Sequence, residues 1–226
     1  MFYQEDGETF IVLDFETSGM SPEKGDRAIE VGAVRVRGGR IVDSFQSLIN
    51  PGFVVSRFIE DLTGIDNASL REAPSAGPVM REFARFIGES PLLAHNAAFD
   101  GKFLDAEFAL AGLRRRRPFC CTLKMARRLY PDSPNHRLET LVRYKAIEAG
   151  GSYHRALADA QMCARLLVAM QQDIRSRYGV RTADFALMER LCRTPLRQVE
   201  RMLKKQAQAD SGPEQSLAAA LQGRRS

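Results

Sequence analysis

The sequence contains few of the residues and patterns that mark several protein classes. Its four cysteines, at positions 120, 121, 163 and 192, include no C-x-x-C pair, so they match neither a disulfide framework nor a zinc-binding pattern. We interpret them as reduced thiols that serve as small apolar residues. Such thiols suit a reducing compartment such as the cytoplasm.

Long apolar runs are also missing. The longest stretch without a charged residue is Ser44–Ser56, which has 13 residues, whereas a membrane-spanning helix needs about 20 apolar ones. The opening MFYQEDGETF has neither a basic patch nor an apolar run, so no secretory signal is expected. The 44% hydrophobic and 27% charged shares are those of a globular protein. They exclude membrane, collagen-like, coiled-coil and wholly disordered classes.

Positive charge is concentrated at the end of the chain. Residues 1–175 carry 23 basic and 23 acidic side chains, and residues 176–226 carry 10 basic and 5 acidic ones, so the net charge of +5 lies in the last quarter. A basic segment of this kind attracts a polyanion or an acidic partner, or is simply solvated. Charge alone therefore does not assign it a function.

The hydrophobic pattern predicts strands first and mixed strands and helices afterwards. Thr9–Glu16 has the nearly continuous apolar run of a strand buried on both faces. A hairpin over 29–49, short strands at 91–94 and 118–121, and helices at 99–113 and 155–175 follow. We predict an α/β domain over residues 1–175, with one sheet covered by helices. Residues 176–226 are predicted to form a basic helical appendage with a disordered tail from residue 206.

Two carboxylates close the first predicted strand. Asp14 and Glu16 are two residues apart, and the period of a strand places both on one face. Neighbouring carboxylates repel each other and are costly to desolvate, so a divalent cation between them would stabilise the fold. The alternative is two solvated acids just beyond the end of the strand.

Further candidate side chains come later in the chain. Asp100 follows the short strand at 91–94 and would face Asp14 and Glu16 if that strand neighbours the first; alternatively, it stabilises a helix N-terminus. His154 and Asp159 are placed to reach one site from a loop and from the helix after it, and an imidazole can accept a proton near neutral pH. Taken alone, the pair is better explained as a surface histidine and a helix-start aspartate.

Three motifs occur in order: FIVLDFETSGMSP, LLAHNAAFDGKFL and YHRALADAQMCARLL. Their pattern resembles the DEDDh family of 3′→5′ exonucleases, and most closely the DnaQ-like group that includes the proofreading epsilon subunit of bacterial DNA polymerase III. The resemblance covers residues 8–175. The tyrosine branch of the superfamily has a tyrosine where this chain has Arg155, so the resemblance is to the histidine branch.

The resemblance implies a ribonuclease-H-like fold with a five-stranded mixed sheet and two Mg²⁺ or Mn²⁺ ions. The residues that match the family's metal ligands are Asp14, Glu16, Asp100 and Asp159. His154 matches the general base, Thr17 matches a contact to the terminal nucleotide, and Met20 matches an apolar wedge against its base. In the same middle motif, we interpret His95 as a structural histidine and Asn96 as a helix cap.

We therefore expect a nuclease that releases 5′-mononucleotides from single-stranded or frayed DNA 3′ ends, associated with a DNA polymerase in replication. An exoribonuclease or oligonucleotide degrader on the same fold is the alternative, because motifs do not report the room around a 2′-hydroxyl. A non-catalytic nucleic-acid or polymerase-binding module is a third hypothesis. Basic residues at 114–128 either follow a phosphate backbone or complement a helix dipole.

Overall fold

The computed structural model describes residues 8–148 and 155–222. Its strands are β1 (Thr9–Thr17), β2 (Ala28–Arg37), β3 (Arg40–Leu48), β4 (Leu92–Ala94) and β5 (Phe119–Cys121). Its helices are α1 (Arg57–Thr63), α2 (Asn67–Glu72), α3 (Ala76–Ile87), α4 (Ala97–Leu110), α5 (Thr122–Leu129), α6 (Leu138–Tyr144), α7 (Ala156–Tyr178), α8 (Phe185–Arg193) and α9 (Val199–Gln222). Two 3₁₀ turns lie at Pro22–Lys24 and Leu196–Gln198.

The five strands form one mixed sheet in the order β3-β2-β1-β4-β5. β1 pairs antiparallel with β2 and parallel with β4, and β4 pairs parallel with β5. The β2–β3 hairpin turns at Gly38 and Gly39, whose φ angles of 57° and 77° are those that a type I′ turn requires. The predicted α/β class and the five-stranded mixed sheet are confirmed.

β1 lies in the middle of the sheet and is buried on both faces, as its apolar run predicts. Ile11, Leu13 and Phe15 pack into the core beneath α3 and α4. Phe10 and Val12 point the other way, into the core formed with α5, α7, α8 and α9. Asp14 and Glu16 continue the second set, because side chains alternate along a strand. Both carboxylates therefore belong to the face that α7 covers.

The two C-terminal helices pack on the same core as the body. Leu187 and Leu191 of α8 and Leu203 of α9 are buried in the cluster that contains Val12. The expectation of a disordered tail from residue 206 is wrong over 206–222, because α9 continues to Gln222. The alanines and glutamines of this segment are good helix formers, which a composition argument for disorder overlooks. The boundary at residue 175 stays a prediction, since α7 crosses it.

No helix in the described ranges combines the length and apolar character that crossing a membrane would take. All four cysteines are free thiols. Cys120 on β5 and Cys192 on α8 are neighbours, with their Sγ atoms 3.4 Å apart. This contact joins the appendage to the edge of the sheet.

Candidate metal centre

Three carboxylates meet where β1 ends beside the start of α7. Asp14, Glu16 and Asp159 each offer an oxygen, and these atoms all lie within 4.8 Å of one another. All three side chains are partly buried. Hard divalent cations take oxygen ligands of this kind, so the cluster fits Mg²⁺ or Mn²⁺.

A glycine on β2 allows α7 to approach the sheet this closely. Gly32 pairs with Asp14 across the two strands, and a Cβ at Gly32 would lie 2.1 Å from the amide nitrogen of Leu157. Any side chain there would push the first turn of α7 away from β1. Because Asp159 lies in that turn, the glycine sets the distance between Asp159 and the two carboxylates of β1.

Asp100 reaches the same end of β1 from the other side. It lies in the first turn of α4, is 2% exposed, and accepts a hydrogen bond through Oδ1 from the backbone amide of Phe15 at 3.1 Å. β4 pairs with β1 only at Ile11 and Val12, so Asp100 satisfies an amide beyond the paired segment. Because β4 neighbours β1, Asp100 lies close enough to Asp14 for its charge to raise the pKa of that residue. It is not one of the three carboxylates that lie within 4.8 Å of one another, and its role as a metal ligand stays a prediction.

The cluster carries a large electrostatic cost without a cation. Burial raises the pKa of Asp14 well above its ordinary value, and the negative charges of Asp100, Glu16 and Asp159 raise it further. Burial, followed by Asp159 and Glu30, raises the pKa of Glu16 to about 8. Burial raises the pKa of Asp100 to about 7, against the lowering effect of the Phe15 amide. Positive charge placed among these groups would offset this cost.

A fifth carboxylate, Glu30, anchors the start of α7. It is fully buried on β2 opposite Glu16, and it accepts hydrogen bonds from the Arg155 guanidinium at 2.8 Å and from the Ala156 amide at 3.0 Å. Glu30 was not predicted from the sequence. Its signal was an acidic residue inside the alternating strand IEVGAVRVR, where a buried charge needs a partner.

A second buried glutamate anchors the loop after β1. Glu107 of α4 is 1% exposed, pairs through both oxygens with Arg27 at 2.8 Å, and accepts the Ala28 amide at 3.0 Å. The backbone carbonyl of Arg27 accepts a hydrogen bond from the Ser18 amide, and the Arg27 amide donates one to the Ser18 hydroxyl, both at 2.9 Å. The loop that contains Met20 is therefore attached to α4, and this anchor too was not predicted.

The two predicted substrate contacts differ in exposure. Thr17 is buried, and its hydroxyl donates to the carbonyl of Gly19 at 2.7 Å, so only its lone pairs remain for another donor. Met20 is 68% exposed, and its carbonyl accepts a hydrogen bond from Lys102 of α4. An exposed thioether is suited to contact an apolar surface, but the roles of both residues stay predictions.

The predicted general base, His154, lies outside the described residues. Arg155, the next residue, is held by Glu30 as described above. His95 is structural, as expected: its two ring nitrogens contact the Thr122 hydroxyl at 3.0 Å and the His136 carbonyl at 2.9 Å, and burial lowers its pKa to about 4. Asn96 occupies the N-cap position of α4, as expected, although its side chain makes no capping hydrogen bond. Its φ of 68° is left-handed, a conformation that asparagine adopts more readily than most residues.

The chain is similar to known exonucleases and DNA polymerase III proteins. The RNase_T family model, described as "Exonuclease", matches residues 11–167. DNA polymerase III subunit epsilon of Aquifex aeolicus is 34% identical over 184 residues, 81% of this chain and 89% of the relative. DNA polymerase III PolC-type of Bacillus subtilis is 41% identical over 168 residues, 74% of this chain. The match spans 12% of the length of that relative.

Solved structures are similar over most of the body. Exonuclease X in complex with 5′ overhanging duplex DNA superposes with a TM-score of 0.65 at 25% identity, covering 81% of this chain and 99% of that one. The nuclease domain of 3′hExo, a DEDDh family member bound to rAMP, superposes with a TM-score of 0.63 at 23% identity. It covers 74% of this chain and 93% of that chain, and it supports the fold.

Proposed function

This chain belongs to the RNase_T exonuclease family, in its DEDDh, DnaQ-like group of 3′→5′ exonucleases, and from this membership we propose its substrate and mechanism. We propose that it hydrolyses single-stranded or frayed DNA from the 3′ end and releases 5′-mononucleotides. The observation that carries the proposal is the meeting of Asp14, Glu16 and Asp159 within 4.8 Å, beside the buried Asp100.

We assign Asp14, Glu16, Asp100 and Asp159 to hold two divalent cations, Mg²⁺ or Mn²⁺. When bound, such a pair supplies the charge that stabilises the attacking and leaving oxygens of an in-line displacement at phosphorus. The chain's own carboxylates suit this task because they are crowded, desolvated and held by α4 and α7 in fixed positions. Positioned ligands of this kind lose little entropy when the ions bind.

His154 is the proposed general base. An imidazole titrates near neutral pH and can take a proton from the attacking water. Arg155 and Ala156 are tied to Glu30 at 2.8 and 3.0 Å, which fixes the backbone directly after His154. Thr17 and Met20 are the proposed contacts to the terminal nucleotide, the hydroxyl by accepting a hydrogen bond and the thioether by packing on the base.

DNA is the proposed substrate because the relatives that match most of this chain's body are DNA polymerase III proteins. For the same reason, we propose association with a DNA polymerase as a proofreading subunit in replication. The four free thiols fit action in the reducing cytoplasm.

The test is digestion of 5′-labelled DNA and RNA strands of equal sequence with Mg²⁺, with and without EDTA. The proposal expects a ladder that shortens from the 3′ end on DNA and disappears with EDTA or in Asp14→Ala. Asp132→Ala, at an exposed turn position, is the matched control and should retain full activity. A preference for RNA would replace the substrate assignment. The absence of metal-dependent product on both strands would refute the enzymatic proposal and favour a binding module.

A further inference from the structure

A row of cations lies on one face of the appendage. A groove of about 610 Å³ is lined by Arg197, Glu200, Arg201, Lys204, Lys205 and Gln208. Arg201 and Lys205 are four residues apart on α9, a spacing that keeps their side chains on one helical face, and Arg197 lies in the 3₁₀ turn directly before that helix. Lys204 pairs with Glu200 at 2.7 Å. Among the side chains the structure describes, no carboxylate lies within ion-pair distance of the other three.

Helix α5 connects this row to the region of the metal centre. The Arg128 Nε atom donates to the carbonyl of Thr194 at 2.6 Å, directly before the 3₁₀ turn that contains Arg197. One turn earlier on α5, the exposed Lys124 lines a second groove together with Lys102 and the N-terminal residues of α4. That helix carries Asp100 in its first turn. We name this series the basic track; its members are Lys102, Lys124, Arg128, Arg197, Arg201 and Lys205.

The arginine run that is prominent in the sequence is less available than the basic track. Arg115 forms a bidentate ion pair with the carboxylate of Asp105, with N···O distances of 2.8 and 2.9 Å. Arg116 and Arg117 lie 3.8 and 3.5 Å from Glu89. These three charges are partly compensated within the body, where acidic and basic residues balance. The uncompensated charge of the protein is therefore on the appendage.

We propose that the basic track binds the phosphate backbone of the substrate strand on the 5′ side of the scissile end. This inference rests on the proposed function, since it takes the strand to leave the carboxylate cluster along α4. A row of unpaired, exposed cations on a rigid helix fits a regularly spaced polyanion. Its two members on α9, Arg201 and Lys205, lie about 6 Å apart along the helix axis, at about 1.5 Å per residue. The appendage would hold a strand while its 3′ end is shortened.

The test compares two triple variants that each remove three positive charges. R197Q/R201Q/K205Q, called the α9 variant, neutralises Arg201 and Lys205 of α9 and Arg197 of the 3₁₀ turn before it. R71Q/R81Q/R85Q is the matched control. Arg71 lies on α2, and Arg81 and Arg85 lie on α3, which packs on the opposite face of the sheet. All six positions are exposed, so both proteins should fold. Binding of a labelled 20-nucleotide DNA strand is followed by fluorescence anisotropy in EDTA, from about 50 to 300 mM salt.

We expect the slope of log K against log salt to become shallower by about 2 in the α9 variant, since each phosphate contact on a single strand contributes about 0.7. Affinity at low salt should fall about tenfold or more, with the control unchanged. With Mg²⁺, the KM for the 20-mer should rise about tenfold at constant kcat, and the KM for a dinucleotide should stay unchanged.

Equal salt slopes in the α9 variant and the wild type would overturn the inference, as would an equal rise of KM for the dinucleotide. Loss of binding to polyglutamate with unchanged DNA binding would also overturn it and assign the surface to an acidic protein partner. Because the binding assay needs no turnover, a protein that binds DNA through α9 but hydrolyses none would refute the proposed function alone.

Discussion

Replacing Glu16 by glutamine should stabilise the metal-free protein at alkaline pH while weakening its response to Mg²⁺. Burial and the neighbouring Asp159 and Glu30 raise the pKa of Glu16 from 4.5 to about 8. The folded state therefore holds this proton more tightly than the unfolded state does. The resulting stability is fully present below pH 4.5 and is lost as the pH rises to about 8.

The magnitude follows from the size of the pKa difference. At about 1.4 kcal/mol per pKa unit, the wild type loses at most about 4 kcal/mol through Glu16 between pH 4.5 and 8. Glu16→Gln removes this loss, and it also removes one of the charges that raise the pKa of Asp14. We expect the free energy of unfolding of the variant to fall by about 2 to 4 kcal/mol less than that of the wild type over this range.

Urea unfolding in EDTA at pH 5, 6.5 and 8 measures this difference. Glu82→Gln, an exposed position on α3, is the control and should follow the wild type. Addition of Mg²⁺ at pH 8 should stabilise the wild type and the control more than Glu16→Gln, because ligands that bind only the folded state add to stability. Parallel pH profiles of the wild type and Glu16→Gln in EDTA would refute the electrostatic account of the cluster.

Three further substitutions test the catalytic base and the two anchors of the site. His154→Ala should keep the Mg²⁺-dependent stabilisation and lose about 10²- to 10⁴-fold in kcat; near-normal turnover would remove this residue as the base. Gly32→Ala places a Cβ 2.1 Å from the Leu157 amide nitrogen, and should lower both stability, by about 1 to 3 kcal/mol or more, and activity; an unchanged melting temperature would contradict this packing argument. Arg27→Met leaves the buried Glu107 without its ion pair and should cost about 3 kcal/mol in urea unfolding, whereas a cost below about 1 kcal/mol would show that water or another donor replaces the arginine.

The backbone of the site was predictable because its signals are local. Asp14 and Glu16 follow an apolar run whose period puts both on one face, and the hairpin at Gly38 and Gly39 has the residues its turn requires. The position of Asp100 needed one additional assumption, that the short strand at 91–94 lies beside the first strand, and β4 does so.

The anchors of the site were not predictable, because they depend on pairs of residues far apart in sequence. Glu30 and Arg155, like Glu107 and Arg27, become recognisable as partners only when the sheet brings two elements together. The prediction of a disordered tail was wrong for another reason. A composition rich in glutamine and alanine favours helices as well as disorder, and near the start of α9 the side chains of Val199 and Leu203 are buried on the body. Packing at the start of the helix supports the residues beyond it.

The close fit of α7 against Gly32 also bears on biosynthesis. Asp14 and Glu16, Asp100, and Asp159 come from three separate thirds of the polypeptide, and the last of them reaches the others only through a helix laid directly on the sheet. The proposed metal centre is therefore incomplete in a nascent chain until α7 has emerged and docked. We expect hydrolysis of nucleic acid to begin only once α7 has docked on the sheet.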